Sequence, residues 1–319
     1  MRVLSETIID ISNLKKYFKI KNKGLLHAVD GVSMHIERGE TLGLVGESGC
    51  GKSTIGKVIV GLESPTAGDV SFEGNSIFSA KGGWLHTVRQ KIQIVFQDPY
   101  SSLNPRKNVQ QILSDPFKVS KNFDKRTLKK KVEELAELTK IDRSTLKKYP
   151  HELDGGKRQT IGIARALALK PLFIVCDEPV SSLDVSIQAQ IINLLMELQE
   201  KLGLTYLFIS HDLSVVRHIS QRIAVMYLGK IVEFAETEEL FANPLHPYTK
   251  ALLSAAPSLE IGRKVDRIIL SGDVPSPINP KAGCRFSPRC WKSMPICEKQ
   301  EPDLLEKSSG HSVACHLVG

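Results

Sequence analysis

No stretch of the 319 residues is apolar for long. Runs such as Leu172 to Cys176 fall far short of the roughly 18 residues that a bilayer-spanning helix needs, so the chain is not expected to cross a membrane by itself. Met1 to Ile20 mixes acidic, basic and apolar residues, which leaves no visible signal or transit peptide and makes a cytoplasmic location the default expectation. Internal repeats and low-complexity segments are also missing. Cysteine is scarce, six in all, and four of the six lie between Cys284 and Cys315. What remains is an ordinary globular composition, 41% hydrophobic and 24% charged, which suits one large domain or one domain with an appendage. The net charge of +8 would suit nucleic acid or an anionic surface, but Lys and Arg are spread along the whole chain, so nucleic acid is not the expected partner. Where lysines do crowd, from Lys118 to Lys148, Leu128, Val132, Leu135 and Leu138 recur at helical spacing, and the lysines read as a solvated helix face.

Gly39 and Glu40 lead into the apolar run Thr41 to Val45, then a glycine-rich loop, then Ser53 to Val60, a strand, loop and helix in succession. Further strands are expected at Ile92 to Phe96, Leu172 to Cys176, Thr205 to Ile209 and Arg222 to Tyr227, with a helical, polar stretch between Pro99 and Pro171. After Leu270 the composition turns to Pro, Gly and Cys, and Pro275, Pro277, Pro280 and Pro288 interrupt regular structure, which places a boundary near Ser271.

Gly46-Glu47-Ser48-Gly49-Cys50-Gly51-Lys52-Ser53 matches G-x-x-x-x-G-K-[ST] in the strand-to-helix context that the motif requires. Its glycines let backbone N–H groups turn onto phosphates, and the helix start adds free N–H groups and a positive dipole end. Lys52 is expected to reach the β and γ phosphates of ATP, Ser53 to place its hydroxyl on Mg²⁺, and Thr54 to add a phosphate contact. Leu172 to Glu178 is an apolar strand ending in two carboxylates, of which Asp177 would hold Mg²⁺ and Glu178 would activate or orient the water that attacks the γ-phosphate.

Together these residues resemble the ATP-binding subunits of ABC transporters, over essentially the whole chain. By that resemblance Gln97 is the Q-loop glutamine, which meets Mg²⁺ and relays nucleotide state to membrane subunits. Ser182-Leu183-Asp184 is similar to the D-loop at the dimer interface, and His211 to the switch histidine on the γ-phosphate. Phe18, ahead of Tyr17, stands where the family stacks an aromatic on adenine. The wording of Gly39 to Thr54, Phe96 to Arg106, Glu178 to Leu195 and Leu245 to Leu253 is similar to the oligopeptide and dipeptide permease branch. The resemblance implies a second, homologous ATPase subunit, two transmembrane permease subunits, an extracellular binding protein, and a peripheral place on the cytoplasmic face of the cell membrane. Related systems carry nickel or other small solutes. The expected fold is α/β: a P-loop ATPase core of the ABC type over residues 1–271, with a helical insertion at about 98–170, and a cysteine-containing C-terminal extension at 272–319. A soluble ABC protein acting on nucleic acid or ribosomes would be expected to carry fused tandem ATPase domains, and only one phosphate loop is present. A regulatory module without turnover is opposed by Glu178 and His211.

The family signature Leu-Ser-Gly-Gly-Gln reads here as Leu153-Asp154-Gly155-Gly156-Lys157. In the family its serine hydroxyl and glycine N–H groups face the γ-phosphate held by the opposite subunit, at a helix N-terminus. Asp154 keeps the capping capacity but reverses the charge. Two unit charges about 4 Å apart interact by roughly 1 kcal/mol in water and about 4 kcal/mol at an effective dielectric of 20. Lys157 either offsets part of that repulsion or is a surface residue without a role. Two readings follow: one composite ATP site is degenerate, or Asp154 simply moves aside.

Cys284, Cys290, Cys297 and Cys315 read as a shared centre, with disulfides disfavoured in the cytoplasm. Their spacing lacks the tight pairs of a zinc ribbon. The tail from Gly283 to Cys290 resembles the peptide-permease ending that binds a four-iron four-sulfur cluster, and four thiolates suit that ligand set. A cluster, Zn²⁺ and unliganded thiols are the three readings. Cys50 and Cys176 read as packing residues, and His311 and His316 as bystanders to Cys315.

Overall fold

A computed structural model of the chain describes residues 6–79, 82–120, 124–255 and 267–318. The first half of the chain forms β1 (Thr7–Ile20), β2 (Gly24–Glu37), β3 (Thr41–Val45), α1 (Lys52–Ile59), β4 (Ala67–Phe72), β5 (Asn75–Ser76), α2 (Gly83–Lys91), β6 (Ile92–Val95), α3 (Pro99–Ser102), α4 (Val109–Ser120) and α5 (Lys125–Leu138). Then follow α6 (Gly155–Leu167), β7 (Phe173–Asp177), α7 (Val185–Leu202), β8 (Thr205–Ser210), α8 (Leu213–Ile219), β9 (Arg222–Tyr227) and β10 (Lys230–Glu236). The chain ends with α9 (Thr237–Ala242), α10 (Pro247–Ala255), α11 (Pro295–Lys299), β11 (Leu305–Ser308) and β12 (His311–Val313).

Two compact units divide the chain, one of residues 80–207 and one of everything on either side of that span. In the flanking unit, β1 pairs antiparallel with both β2 and β4, and β5 pairs with β4. A second set of strands runs in the order β11, β12, β10, β9, β3, antiparallel except for the parallel pair β3 and β9. All five residues of β3 are buried, as a parallel strand covered on both faces requires. The residues after Leu270 do not stand apart from this unit. β12 pairs with β10, and Ile278 bridges Leu26 of β2.

The unit of residues 80–207 holds β6 and β7 as a parallel pair, and β7 is buried throughout. Helices α3, α4, α5 and α6 fall in the stretch expected to be helical. On α5, Val132 and Leu135 are buried while Lys129 and Lys130 are exposed, the amphipathic face that the sequence spacing implies. Asp124 caps α5 by accepting the Thr127 N–H at 2.8 Å. The chain leaves this unit along β8.

Candidate functional site

In the flanking unit the phosphate loop joins β3 to α1. Gly51, at φ +110, stands where a Cβ would come 2.0 Å from the Ala28 carbonyl oxygen, so only glycine lets the loop pass this close to β2. Gly46 is confined in the same way, its Cβ position lying 2.1 Å from the Met226 carbonyl oxygen. Lys52 is buried, and its Nζ donates to the carbonyl oxygens of Gly46 at 2.7 Å and Glu47 at 3.0 Å. Helix α1 carries no acidic residue in its first turn and no side chain caps it, so its N-terminal N–H groups and positive dipole end face the loop, a fit for phosphate. Ser53 and Thr54 open that helix. Ser48 and Gly49 form the exposed outer bend of the loop, and Gly49 adopts φ +78. Cys50 is buried with its thiol pKa pushed up by that burial, which makes it a packing residue.

Phe18 is half-buried on β1 with Lys16 Nζ 4.8 Å from its ring centroid. Its neighbour Tyr17 is committed elsewhere. The Tyr17 ring stacks on His27 at 4.0 Å and its hydroxyl donates to Asp30 at 2.5 Å, and burial, with Asp30 second, raises the phenol pKa to about 12. His211 follows β8 on the exposed surface, beside Asp212, whose carboxylate caps α8 through the Ser214 N–H at 2.8 Å.

The unit of residues 80–207 gathers the carboxylates. Asp177 ends β7 and Glu178 follows it, both buried, and Glu178 adopts φ +46, a conformation that a non-glycine residue holds only when its surroundings enforce it. Gln97 donates through Nε2 to Glu178 Oε2 at 2.8 Å. The two residues, expected from separate motifs, are thus brought together. Asp184 caps α7, accepting from the Ile187 N–H at 3.0 Å and the Ser186 hydroxyl at 2.7 Å. These bonds, the Ile187 N–H first, hold its carboxyl below the usual range.

Asp154 caps α6 through the Lys157 N–H at 2.8 Å, and Lys157 Nζ sits 2.9 Å from the other carboxylate oxygen. Burial alone would raise the Asp154 pKa, but the Lys157 ammonium and N–H bring it below the ordinary value. Lys157 is therefore a partner of Asp154, not an idle surface residue. Gly155 and Gly156 have a steric reason: a Cβ would meet Leu183 at 3.0 Å and Ile187 at 2.5 Å, so the signature turn lies against the start of α7.

The expectation of a metal or cluster at the cysteines gains no support. Cys284 and Cys297 are joined by a backbone bond of 2.7 Å, and the thiols of Cys284, Cys290, Cys297 and Cys315 lie close enough to influence one another electrostatically. Among the described residues, however, no group of three or more His, Cys, Asp and Glu side chains is placed to hold a metal ion. Burial pushes the Cys284 pKa to about 11 and raises those of Cys290 and Cys315. Neither an iron–sulfur cluster nor Zn²⁺ is assigned to the four cysteines.

Reading the sequence missed the groups that tie this segment to the phosphate loop. Arg289 donates to Glu47 Oε2 at 2.8 Å, Arg285 pairs with Asp30, and the Glu47 N–H donates to the Tyr248 hydroxyl at 2.9 Å. His311, set aside as a bystander, is buried against the buried Glu233 at 2.8 Å, and Glu233 also accepts from the N–H groups of Leu245 and His246. His316 instead bonds the Gln300 carbonyl at 2.9 Å. The available signal was the pair of arginines at Arg285 and Arg289 inside a cysteine-bearing run, where attention to the thiols hid them.

Among the described residues no helix is long and apolar enough to cross a membrane. The ABC transporter family model matches residues 29–181, and the model for the oligopeptide/dipeptide transporter C-terminal region matches residues 232–297. The oligopeptide transport ATP-binding protein AppF of Bacillus subtilis is 52% identical, over 98% of this chain and 98% of its own. The dipeptide transport ATP-binding protein DppF of Escherichia coli is 46% identical, over 99% of this chain and 96% of its own. Among solved structures, cbiO1 of Clostridium perfringens, part of the ABC transporter complex cbiONQ, has a TM-score of 0.66 at 29% identity, covering 75% of this chain and 92% of that one. The dimeric ATP-binding cassette MJ0796, bound to ADP and Pi after hydrolysis, has a TM-score of 0.66 at 28% identity, covering 72% of this chain and 99% of that one. A phosphate loop backed by a helix N-terminus that no side chain caps, a strained glutamate held by a glutamine, and these matches lead to one conclusion: the chain belongs to the ATP-binding proteins of ABC transporters, in the branch that carries the oligopeptide/dipeptide transporter C-terminal region.

Proposed function

We propose that this ATPase powers import of dipeptides or oligopeptides, lying on the cytoplasmic face of the cell membrane beneath two transmembrane permease subunits supplied by an extracellular binding protein. The observation that carries the reading is the buried Glu178 at φ +46, bonded by Gln97, in a chain whose similarity to peptide-transport ATP-binding proteins is end to end.

In this reading the loop N–H groups and Lys52 hold the triphosphate, and Phe18 covers the adenine. Ser53 and Asp177, with Gln97, are the residues that would hold Mg²⁺, which supplies charge neutralisation on the phosphates. Glu178, poised by its strained backbone and its bond from Gln97, orients the attacking water and accepts its proton. His211 contacts the γ-phosphate and Asp184 faces the partner ATPase subunit.

The signature makes the two composite sites unequal. This chain's Lys52, Asp177 and Glu178 complete a competent site against the partner's signature, and Asp154 weakens the site that the partner holds. The test is ATP turnover of the reconstituted complex with Glu178→Gln in this chain, against the matching partner variant. Abolished turnover in the first with substantial turnover in the second is the expected result, and equal losses would refute the asymmetry. Replacing Asp154→Ser should raise hydrolysis at the partner-held site.

A further inference from the structure

We propose that the cysteine-bearing C-terminal segment is a working part of the ATP site, with Arg289 acting as a positioning residue that fixes Glu47 of the phosphate loop. The inference rests on the assignment of residues 46–54 to ATP.

Glu47 is held from three sides within one compact unit. Its N–H donates to the hydroxyl of Tyr248, a fully buried side chain of α10, at 2.9 Å. Its carbonyl oxygen accepts from Lys52 Nζ at 3.0 Å. Its carboxylate takes the Arg289 guanidinium at 2.8 Å, and the two side chains are only 9% and 27% exposed, Arg289 first, so solvent screens the pair little. The Lys52 contact matters most, because the residue that Arg289 grips is also the residue that orients the ammonium expected to meet the phosphates.

The segment that carries Arg289 is itself fixed. Phe286, 1% exposed, packs against both Tyr227 and Tyr248 with ring centroids 5.2 and 5.4 Å away. Arg285 donates to the Leu228 carbonyl at 2.5 Å and pairs with Asp30, which also accepts from Tyr17 and contacts His27 at 3.0 Å. Two arginines four residues apart thus reach two points of the nucleotide side of the unit, Glu47 in the loop and Asp30 beneath the Tyr17–His27 stack. A segment that served only to cover the core would have needed Phe286 alone.

The test uses the full-length chain, titrated with a fluorescent ATP analogue in the presence of magnesium, with Lys52→Ala as the control. If Lys52→Ala binds as tightly as the unmutated chain, the ATP assignment itself fails, and the outcome is distinguishable from failure of the Arg289 proposal. Arg289→Ala should weaken binding roughly tenfold, the size carried by a charge-assisted bond between contacting side chains. Arg289→Lys should recover most of the loss. In a Glu47→Gln background, Arg289→Ala should change affinity little further, a dependence that a merely structural role would not produce. Unchanged binding in Arg289→Ala, an equal loss in the Glu47→Gln background, or an Arg289→Lys variant no better than Arg289→Ala would each overturn the proposal. Arg289→Lys and Glu47→Gln keep the test decisive if Arg289→Ala fails to fold.

Discussion

Replacing Gly51 with alanine isolates the geometric demand on the phosphate loop. The new Cβ would lie 2.0 Å from the Ala28 carbonyl oxygen and 2.8 Å from Met226 Cε. The methionine end can swing away, but the carbonyl belongs to β2, whose neighbours His27 and Val29 are in register with Tyr17 and Lys16 of β1. Restoring a carbon–oxygen separation of about 3.3 Å therefore moves the loop by about 1.3 Å. The positive φ adds a backbone penalty of about 1–3 kcal/mol. Lys52 and Ser53 follow Gly51 directly, so the displacement falls on the groups proposed to hold the phosphates and Mg²⁺, and a misplacement of about 1 Å costs on the order of 100-fold in rate. Gly51→Ala is expected to lower ATP affinity and turnover by at least that factor while far-ultraviolet circular dichroism stays unchanged. Titration of the purified chain with a fluorescent ATP analogue measures the first, and turnover of the assembled complex the second. Affinity within about threefold of the unmutated chain would show that the loop absorbs the methyl group, and the steric reasoning would be wrong.

Other perturbations probe the supports around the site. Tyr248→Phe keeps the rings packed against Tyr227 and Phe286 but deletes the acceptor of the Glu47 N–H, and should cost about 1 kcal/mol in denaturant unfolding. Arg222 makes two bonds of 2.8 Å to the buried Glu40, so Arg222→Ala leaves that carboxylate its bond from the Glu37 N–H but no counter-charge, and should cost about 3 kcal/mol in the same measurement. His246 is buried and its pKa is lowered to about 3, chiefly by that burial, so below the unfolded value of about 6.5 the unfolded chain binds a proton that the folded one refuses. Stability should then fall as pH drops from about 6.5 towards 3, by about 2 kcal/mol at pH 5, and His246→Gln should flatten that part of the pH profile of the unfolding midpoint.

The strands that bear chemistry were legible because their physics is written in short contiguous runs. Thr41 to Val45 and the stretch ending in Asp177 are buried on both faces, so they read as unbroken apolar segments, and the glycine pattern between β3 and α1 has one structural use. The hairpin of β1 and β2 was not legible. Its alternation is broken by register shifts between Ile11 and Leu14 and between Lys16 and Tyr17, with Asn13 at φ +47, so no period of two survives along it. β12 is three residues long and has meaning only against β10. The same limit hid the supports of the loop. Glu47 and Arg289 are 242 residues apart, and no local pattern announces such a pair. The four cysteines stand out in the sequence by their spacing, but how far each is buried is something spacing does not record.

The signature departure is best understood as the exchange of one pair for another. Serine and glutamine at these two positions would be neutral together, and Asp154 with Lys157 is also neutral together, so net charge at the start of α6 is preserved. With the pair closed at 2.9 Å and both side chains more than half exposed, solvent and the nearby ammonium screen much of the carboxylate charge from an approaching phosphate. What the exchange removes is a donor. A serine hydroxyl can satisfy the helix N–H through its oxygen and still offer its proton to a phosphate oxygen, whereas an ionised carboxylate only accepts. Asp154 spends one oxygen on the Lys157 N–H and the other on the Lys157 ammonium, and neither can bond an anion. The proposed weakness of the partner-held site therefore lies more in a lost hydrogen bond to the γ-phosphate than in repulsion, and the Gly155 and Gly156 N–H groups are left to hold that phosphate without it.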